Sequence, residues 1–114
     1  MPSSDTVLLI TRKGMGDADS ELQIKLIQTY FKLIIEAETL PAVICFYTEG
    51  VHLVIEGSPV LELLQILESK GVRLIACTTC LDYYDINEKV AVGIRGGMTD
   101  IIEAQRRASK VITL

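Results

Sequence analysis

Three short apolar runs, rich in β-branched residues, punctuate the chain at residues 5–11, 42–47 and 72–76. Continuous runs of this length are typical of strands that are covered on both faces. Each run is followed by a turn-rich stretch and then, directly or after a loop, by a helical pattern. Because this alternation builds parallel sheets from βαβ units, it predicts an α/β domain.

The longest helical pattern starts at Asp19 or Ser20, either of which can serve as N-cap, and runs to about Glu38. One apolar stripe contains Leu22, Leu26, Tyr30, Leu33 and Ile34, and a second group contains Ile24, Ile27, Phe31 and Ile35. A helix that packs on one sheet needs an apolar face only about 100° wide. We therefore expect part of this surface to meet another subunit.

The second helix has clear boundary signals: Ser58 as N-cap, Pro59 at the first helical position and Gly71 as a left-handed stop. Its inward-facing residues are predicted to be Val60, Leu63, Leu64 and Leu67.

The remaining elements complete one domain that spans residues 1–114. Residues 90–94 are predicted as a fourth strand, 98–108 as a third long helix and 110–114 as a last strand. The fold class is therefore α/β, a three-layer α/β/α sandwich with a mostly parallel sheet of about five strands.

Four loops follow the carboxyl ends of the predicted strands, at residues 12–18, 48–57, 77–85 and 95–97. Ligands of open parallel sheets bind at this edge, near the point where the strand order switches. Cys77 ends the third strand, so we expect the chemistry of the protein to lie there.

Cys77, Thr78, Thr79 and Cys80 form a Cys-x-x-Cys turn after that strand. A thiol becomes nucleophilic when a helix N-terminus, a cation or a second sulfur lowers its pKa from about 8.5 toward about 3.5–7.5. Residues 81–84 are predicted to form a short helix whose first N–H groups point at the sulfurs. Cys77 is the candidate nucleophile and Cys80 its neighbour or resolving thiol.

The same turn also fits two buried packing residues or half of a metal site. A structural zinc site needs four ligands, and Cys45 and His52, the other candidates, lie on separate segments without paired spacing. We therefore predict no metal. Cys45 lies within an apolar strand and is interpreted as a packing residue, whereas His52 can act as an acid or base or simply be solvated.

Further pocket-lining candidates come from the converging loops. Gly14 and Met15 belong to a glycine turn that lacks the third glycine of a dinucleotide fingerprint and the Gly-Lys-Ser/Thr ending of a P-loop. A tight turn explains these glycines better than phosphate binding. Tyr83 can gate a sulfur pocket or pack at an interface, and Arg95 can support an anionic sulfur species. Thr78 and Thr79 complete the candidate lining.

Composition narrows the classes of partner. The 114 residues are 49% hydrophobic, which suffices for one core, and the formal net charge is −4. An acidic chain lacks the long-range attraction to nucleic acids and anionic membranes, so neither is an expected partner. No run approaches the roughly 20 apolar residues of a membrane span, and no secretory signal is seen. We expect a cytoplasmic protein, in which three cysteines do not build a disulfide framework.

Much of the chain resembles a known protein family. The resemblance rests on the segments LIACTTCLDYYDINEKVAVG and FYTEGVHLVIEGSPVLELLQILESKGV and on the closing ASKVITL. They resemble the DsrE/DsrF-like family, closest to the C-terminal domain of YedF-type proteins, which are sulfurtransferase-like and linked to selenium metabolism. The resemblance implies a flavodoxin-like architecture and a homotrimer or homohexamer. Thr78 stands where that branch is expected to have glycine, and we expect this domain to act without the N-terminal sulfur-carrier domain that usually accompanies it.

The resemblance implies that Cys77 bears a persulfide and that Cys80 matches the second cysteine of the branch. The expected function is sulfur relay or sulfurtransferase-like chemistry without a cofactor, with sulfur donor and acceptor proteins acting in trans. Two alternatives stay open. The pair can serve as a thiol–disulfide redox module, or the protein can be a non-catalytic oligomeric subunit or small-ligand binder.

Overall fold

A computed structural model describes residues 5–114. Its centre is a sheet of five strands, all parallel, in the order β4-β3-β2-β1-β5. The strands are β1 (Thr6–Ile10), β2 (Val43–Phe46), β3 (Arg73–Cys77), β4 (Ile94–Gly96) and β5 (Lys110–Thr113). The predicted parallel α/β sheet is thereby confirmed.

Four α-helices connect or follow the strands: α1 (Ser20–Glu36), α2 (Leu61–Ser69), α3 (Thr78–Tyr83) and α4 (Met98–Arg107). Two 3₁₀ segments lie at Thr48–Val54 and Asn87–Lys89. The helices α1 and α2 contact each other, whereas α4 contacts β3 and β4. Right-handed crossovers that reverse direction across a sheet place their helices on opposite faces, which gives the three layers that were predicted.

The core lies along the three central strands. All residues of β2 are buried, as are the last four of β1 and β3. Phe31 of α1 and Phe46 of β2 are the largest fully buried side chains. Because both faces of these strands are covered, the continuous apolar runs in the sequence correctly indicated parallel strands.

The second helix begins two residues later than predicted, at Leu61. Ser58 still caps the turn, since its Oγ accepts a hydrogen bond from the Val60 N–H at 3.2 Å. Gly71 has a φ of +95° and follows the helix as predicted. The boundary signals were therefore right in kind, and Pro59 lies in the turn that precedes the helix.

The fourth strand lies at Ile94–Gly96, so its predicted position at residues 90–94 is wrong. Val90 instead makes an isolated antiparallel bridge with Ile55. Gly93 has a φ of +81°, and this left-handed turn redirects the chain before it joins β3. The prediction was misled because the apolar run begins at Val90, which pairs with Ile55 outside the five-stranded sheet.

The apolar surface of α1 is divided between the core and the outer side of the helix. Ile27 and Phe31 are buried, whereas Leu22, Leu26 and Leu33 are exposed, Leu33 by 58%. The helix is apolar on nearly all sides, so periodicity alone did not show which side faces the sheet. In residues 5–114, no helix combines the length and apolar character that a membrane crossing requires.

Candidate functional site

The thiol pair lies where β3 ends. Cys77 is the last residue of β3 and is paired with Gly96 of β4, and only 1% of its surface is exposed. The helix α3 starts at Thr78, earlier than predicted, so Cys80 lies on its first turn. Cys80 is half-buried, and neither cysteine forms a disulfide. Cys80 is therefore the more accessible sulfur of the pair.

Thr48, at the end of β2, contacts this pair directly. Its backbone N–H donates a hydrogen bond to the Sγ of Cys80 at 3.1 Å. Its φ is +48°, a left-handed conformation that β-branched residues rarely adopt. The Thr48 Oγ1 lies 2.7 Å from the carbonyl oxygens of both Thr11 and Tyr47 and can donate its one proton to either. Thr48 thus links the ends of β1 and β2 to a sulfur that follows β3.

The loop that carries Thr48 is packed closely on β1. The Tyr47 N–H donates to the carbonyl oxygen of Ile10 at 3.1 Å. A Cβ atom on Gly50 would lie 2.0 Å from that same oxygen, so a larger residue does not fit there without a shift. Glycine at position 50 therefore allows the 3₁₀ segment to sit against the β1 end.

The electrostatics of the site differ from the sequence-based expectation. The pKa of the Cys80 thiol is raised, first by burial and then by a hydrogen bond with Cys77. The Thr48 N–H acts in the opposite direction, because it stabilises the thiolate. The expectation of a lowered pKa is thus wrong for Cys80, which is held mainly as the thiol at neutral pH.

Thr78 and Thr79 differ in their surroundings. The Thr78 Oγ1 donates to the carbonyl oxygen of Gly96 at 3.2 Å and ties the start of α3 to β4. Thr79 is exposed. The converging loops after β1, β2, β3 and β4 are therefore joined by hydrogen bonds through Thr48 and Thr78.

An aromatic cluster lies beside the thiols. The rings of His52 and Tyr84 are 4.6 Å apart, and those of Tyr84 and Tyr83 are 5.2 Å apart. The Nδ1 of His52 lies 2.9 Å from the carbonyl oxygen of Glu49. Partial burial and then the Glu49 carboxylate raise the pKa of Tyr84, with smaller effects of Tyr83 and Cys80. Tyr83 itself is 82% exposed, which leaves its ring available to a partner.

Other predicted candidates make their contacts elsewhere. Gly14 packs against the backbone of Gln23 in α1, where a Cβ would be 2.4 Å from the Gln23 carbonyl carbon. The Met15 N–H donates to the Gln23 carbonyl oxygen. Arg95 donates twice to the carbonyl oxygen of Asn87 and lies in a groove with Asp82 and Asp85. These contacts stabilise loops and give no direct link to the sulfurs.

Cys45 is fully buried in β2, and burial raises its pKa from 9.0 to about 11, partly offset by the charge of Arg73. This agrees with its interpretation as a packing residue. Among residues 5–114, no three or more His, Cys, Asp or Glu side chains are grouped so as to hold a metal ion.

Two features of the site were not anticipated. Thr48 was not among the candidates, and only its place directly after an apolar strand signalled it. The strand switch lies between β1 and β5, whereas the thiols follow β3. Cys77 and Cys80 therefore lie at the carboxyl edge of the sheet but away from the strand switch.

The all-parallel sheet and the thiol pair at its carboxyl edge define a small α/β thiol protein. The chain belongs to the DsrE/DsrF-like family, whose model matches residues 6–114. This confirms the family resemblance over the described chain. The narrower likeness to the YedF-type branch stays a prediction.

Solved structures of low sequence identity share the fold. The ychN protein from E. coli superposes with a TM-score of 0.70 and 17% identity, covering 96% of this chain and 98% of that one. Protein MTH1491 of unknown function from Methanobacterium thermoautotrophicum gives a TM-score of 0.71 and 18% identity, with 96% and 97% coverage. BT1422 from Bacteroides thetaiotaomicron, also of unknown function, gives 0.66 and 12%, with 96% and 95% coverage. No curated protein matches the chain.

Proposed function

We propose that this protein carries sulfane sulfur as a persulfide on the Cys77 and Cys80 pair. The observation that supports this most directly is the pair of free thiols at the carboxyl edge of the sheet, in which the Thr48 N–H donates to the more accessible sulfur. The DsrE/DsrF-like family is linked to sulfur relay, which favours this chemistry over others open to two thiols. No cofactor is required for the transfer.

The exposures of the two sulfurs favour a defined order of transfer. The Cys80 thiolate attacks the terminal sulfur of a donor persulfide, the S–S bond of the donor breaks, and the donor leaves as a thiolate. The Cys77 thiolate then attacks the terminal sulfur on Cys80 and regenerates the Cys80 thiolate. Because Cys77 is 1% exposed, a persulfide there is shielded from solvent. Reversal of the second step returns the sulfur to Cys80 for an acceptor thiol.

Intact-mass measurements after incubation with polysulfide test this proposal. The wild type is expected to gain one sulfur atom, about 32 Da, that dithiothreitol removes. Cys80→Ser is expected to lose this uptake, and Cys77→Ser to take up sulfur that is lost faster during storage. Cys45→Ser serves as the control cysteine variant and is expected to behave like the wild type. No uptake in any form would overturn the proposal.

Thiol–disulfide exchange is the second candidate, because Cys77 and Cys80 form a Cys-x-x-Cys turn at the junction of β3 and α3, a spacing typical of redox-active pairs. It predicts a loss of about 2 Da on oxidation without any gain of sulfur. The two functions are therefore separated by the same mass measurement.

We also propose that the protein acts as a homo-oligomer, as other DsrE-family proteins do. The exposed leucines of α1 support this proposal, since a continuous apolar helix face is costly in water. A trimer or a hexamer fits the family resemblance. Donor and acceptor proteins would then act on the carboxyl edge in trans.

A further inference from the structure

The backbone at Thr48 is held in an unfavourable conformation next to the Cys80 sulfur. A φ of +48° at a β-branched residue persists only where surrounding contacts enforce it. Here the Oγ1 contact to the Thr11 carbonyl oxygen and the N–H contact to Cys80 Sγ act together. Strain of this kind concentrates at functional sites.

The surroundings leave the loop little freedom to relax. The Gly50 N–H donates to the Tyr47 carbonyl oxygen at 3.0 Å, directly beneath Thr48. Gly50 in turn packs against the Ile10 carbonyl oxygen so closely that no Cβ fits. The Thr48 N–H is therefore oriented toward Cys80 before any sulfur anion forms, so little reorganisation is needed when charge develops there.

An N–H group that donates to sulfur favours the anionic form over the neutral one. Burial, the hydrogen bond with Cys77 and the charge of Cys77 all favour the neutral thiol of Cys80, and the Thr48 N–H opposes them. The Tyr84 hydroxyl also interacts with the charge on Cys80, and Glu49 and Tyr83 lie near that hydroxyl. The Thr48 N–H can donate to a persulfide anion on Cys80 in the same way only if the left-handed conformation keeps this N–H in place.

We propose that Thr48 is the positioning residue that stabilises the anionic form of the sulfur on Cys80, through a backbone N–H held by its left-handed conformation. The inference rests on the proposed function, because it assigns to Thr48 control over the thiol that receives sulfur. Its hydroxyl acts indirectly, by anchoring the loop to the end of β1.

The test is the pH profile of Cys80 alkylation in the wild type, Thr48→Val and Thr48→Ser, followed by peptide mass. Valine keeps the β-branch but loses the anchoring hydroxyl, so the N–H should leave the sulfur. Loss of a hydrogen bond to a charged group should raise the midpoint of the pH profile by about one pH unit. The alkylation rate at pH 8 should then fall about tenfold. Serine keeps the hydroxyl and is expected to match the wild type.

Equal midpoints in Thr48→Val and the wild type would overturn the inference. An equal upward shift in Thr48→Val and Thr48→Ser would also overturn it. Carbon-detected NMR gives a second test that does not depend on the folding of a Thr48 variant. The Thr48 nitrogen shift should titrate with Cys80 and stop doing so in Cys80→Ser, and a constant shift in the wild type would also overturn it.

Sulfur uptake by the same proteins separates the two proposals. Uptake by the wild type with equal midpoints in all variants defeats only the role of Thr48. A midpoint shift in Thr48→Val with no uptake by the wild type defeats the proposed function and leaves the charge control of Cys80 standing.

Discussion

At the scale of single residues, the two cysteines of the Cys-x-x-Cys turn differ in their exposure to solvent and reagents. Cys77 is enclosed by the end of the sheet, whereas Cys80 is half-buried and contacts Thr48. A macromolecular or bulky reagent therefore reaches Cys80 first. Both residues are cysteines, so the difference in exposure comes from their positions at the end of β3 and in the first turn of α3.

Alkylation of the reduced protein with iodoacetamide should follow this order. Cys80 is expected to react before Cys77 and Cys45, because only its sulfur is accessible. Since the pKa of Cys80 is raised, its rate should be below that of a free cysteine peptide at neutral pH and increase as the pH rises above 9. Peptide mass after timed quenching identifies the site. Prior modification of Cys77 would contradict the assignment.

Gly50 is a second residue whose environment sets a clear expectation. Gly50→Ala forces a Cβ to within 2.0 Å of the Ile10 carbonyl oxygen, so the loop or the strand end must move. We expect a loss of about 2–3 kcal/mol in the free energy of unfolding. Urea unfolding measures this loss.

Gly97→Ala is the matched control for that substitution. Its Cβ would meet only the Thr99 Oγ1 at 3.7 Å, an ordinary contact, and its φ is −87°. A smaller loss, of up to about 1 kcal/mol, is expected, because Gly97 is the N-cap of α4 and alanine is a poorer N-cap than glycine. Comparable losses for the two variants would show that close packing at Gly50 is not the cause.

At the scale of elements, α1 carries more apolar surface than its own sheet covers. Leu22, Leu26 and Leu33 lie on its outer side, while Ile27 and Phe31 face the core. The sequence correctly indicated an excess of apolar residues. It left open which group of apolar residues faces the sheet, because a helix with such a wide apolar surface has no single preferred face until neighbours pack against it.

Replacement of Leu33 by Gln tests whether this outer side joins subunits. The proposed homo-oligomer should dissociate, since a buried leucine side chain contributes about 1.5–3 kcal/mol to an interface. Light scattering coupled to gel filtration gives the mass. Ile102→Gln on α4 is the control, because Ile102 is also an exposed aliphatic residue. Dissociation by the control alone would place the interface on α4 instead.

At the scale of the whole molecule, the stability should depend on pH through a buried thiol. Burial raises the pKa of Cys45 from 9.0 to about 11. Below pH 9 both folded and unfolded chains keep this thiol protonated, so its contribution is fully present. Between pH 9 and 11 the unfolded chain ionises first, and the folded state loses stability.

The expected loss from Cys45 is about 2–3 kcal/mol by pH 11, since one pKa unit corresponds to about 1.36 kcal/mol. Urea unfolding under reducing conditions from pH 8 to 11 measures it. Cys45→Ala removes this titrating group and should show a shallower decline, although its stability at pH 8 is lower. Parallel declines in the two proteins would show that Cys45 titrates alike in the folded and unfolded chains.

The sequence by itself determined the parallel α/β class, the central strands, the carboxyl edge as the place of the thiols and the family. Those features depend on local patterns: continuous apolar runs, turn signals and a short Cys-x-x-Cys spacing. Each can be recognised within a few consecutive residues.

Only the tertiary structure decided which sulfur is accessible, that Thr48 donates to it, where β4 pairs and which side of α1 is exposed. Thr48 and Cys80 are 32 residues apart, and their contact requires β2 and β3 to be adjacent. The raised pKa of Cys80 likewise results from burial by distant segments. Contacts between remote residues depend on how the elements pack, which a local pattern does not contain.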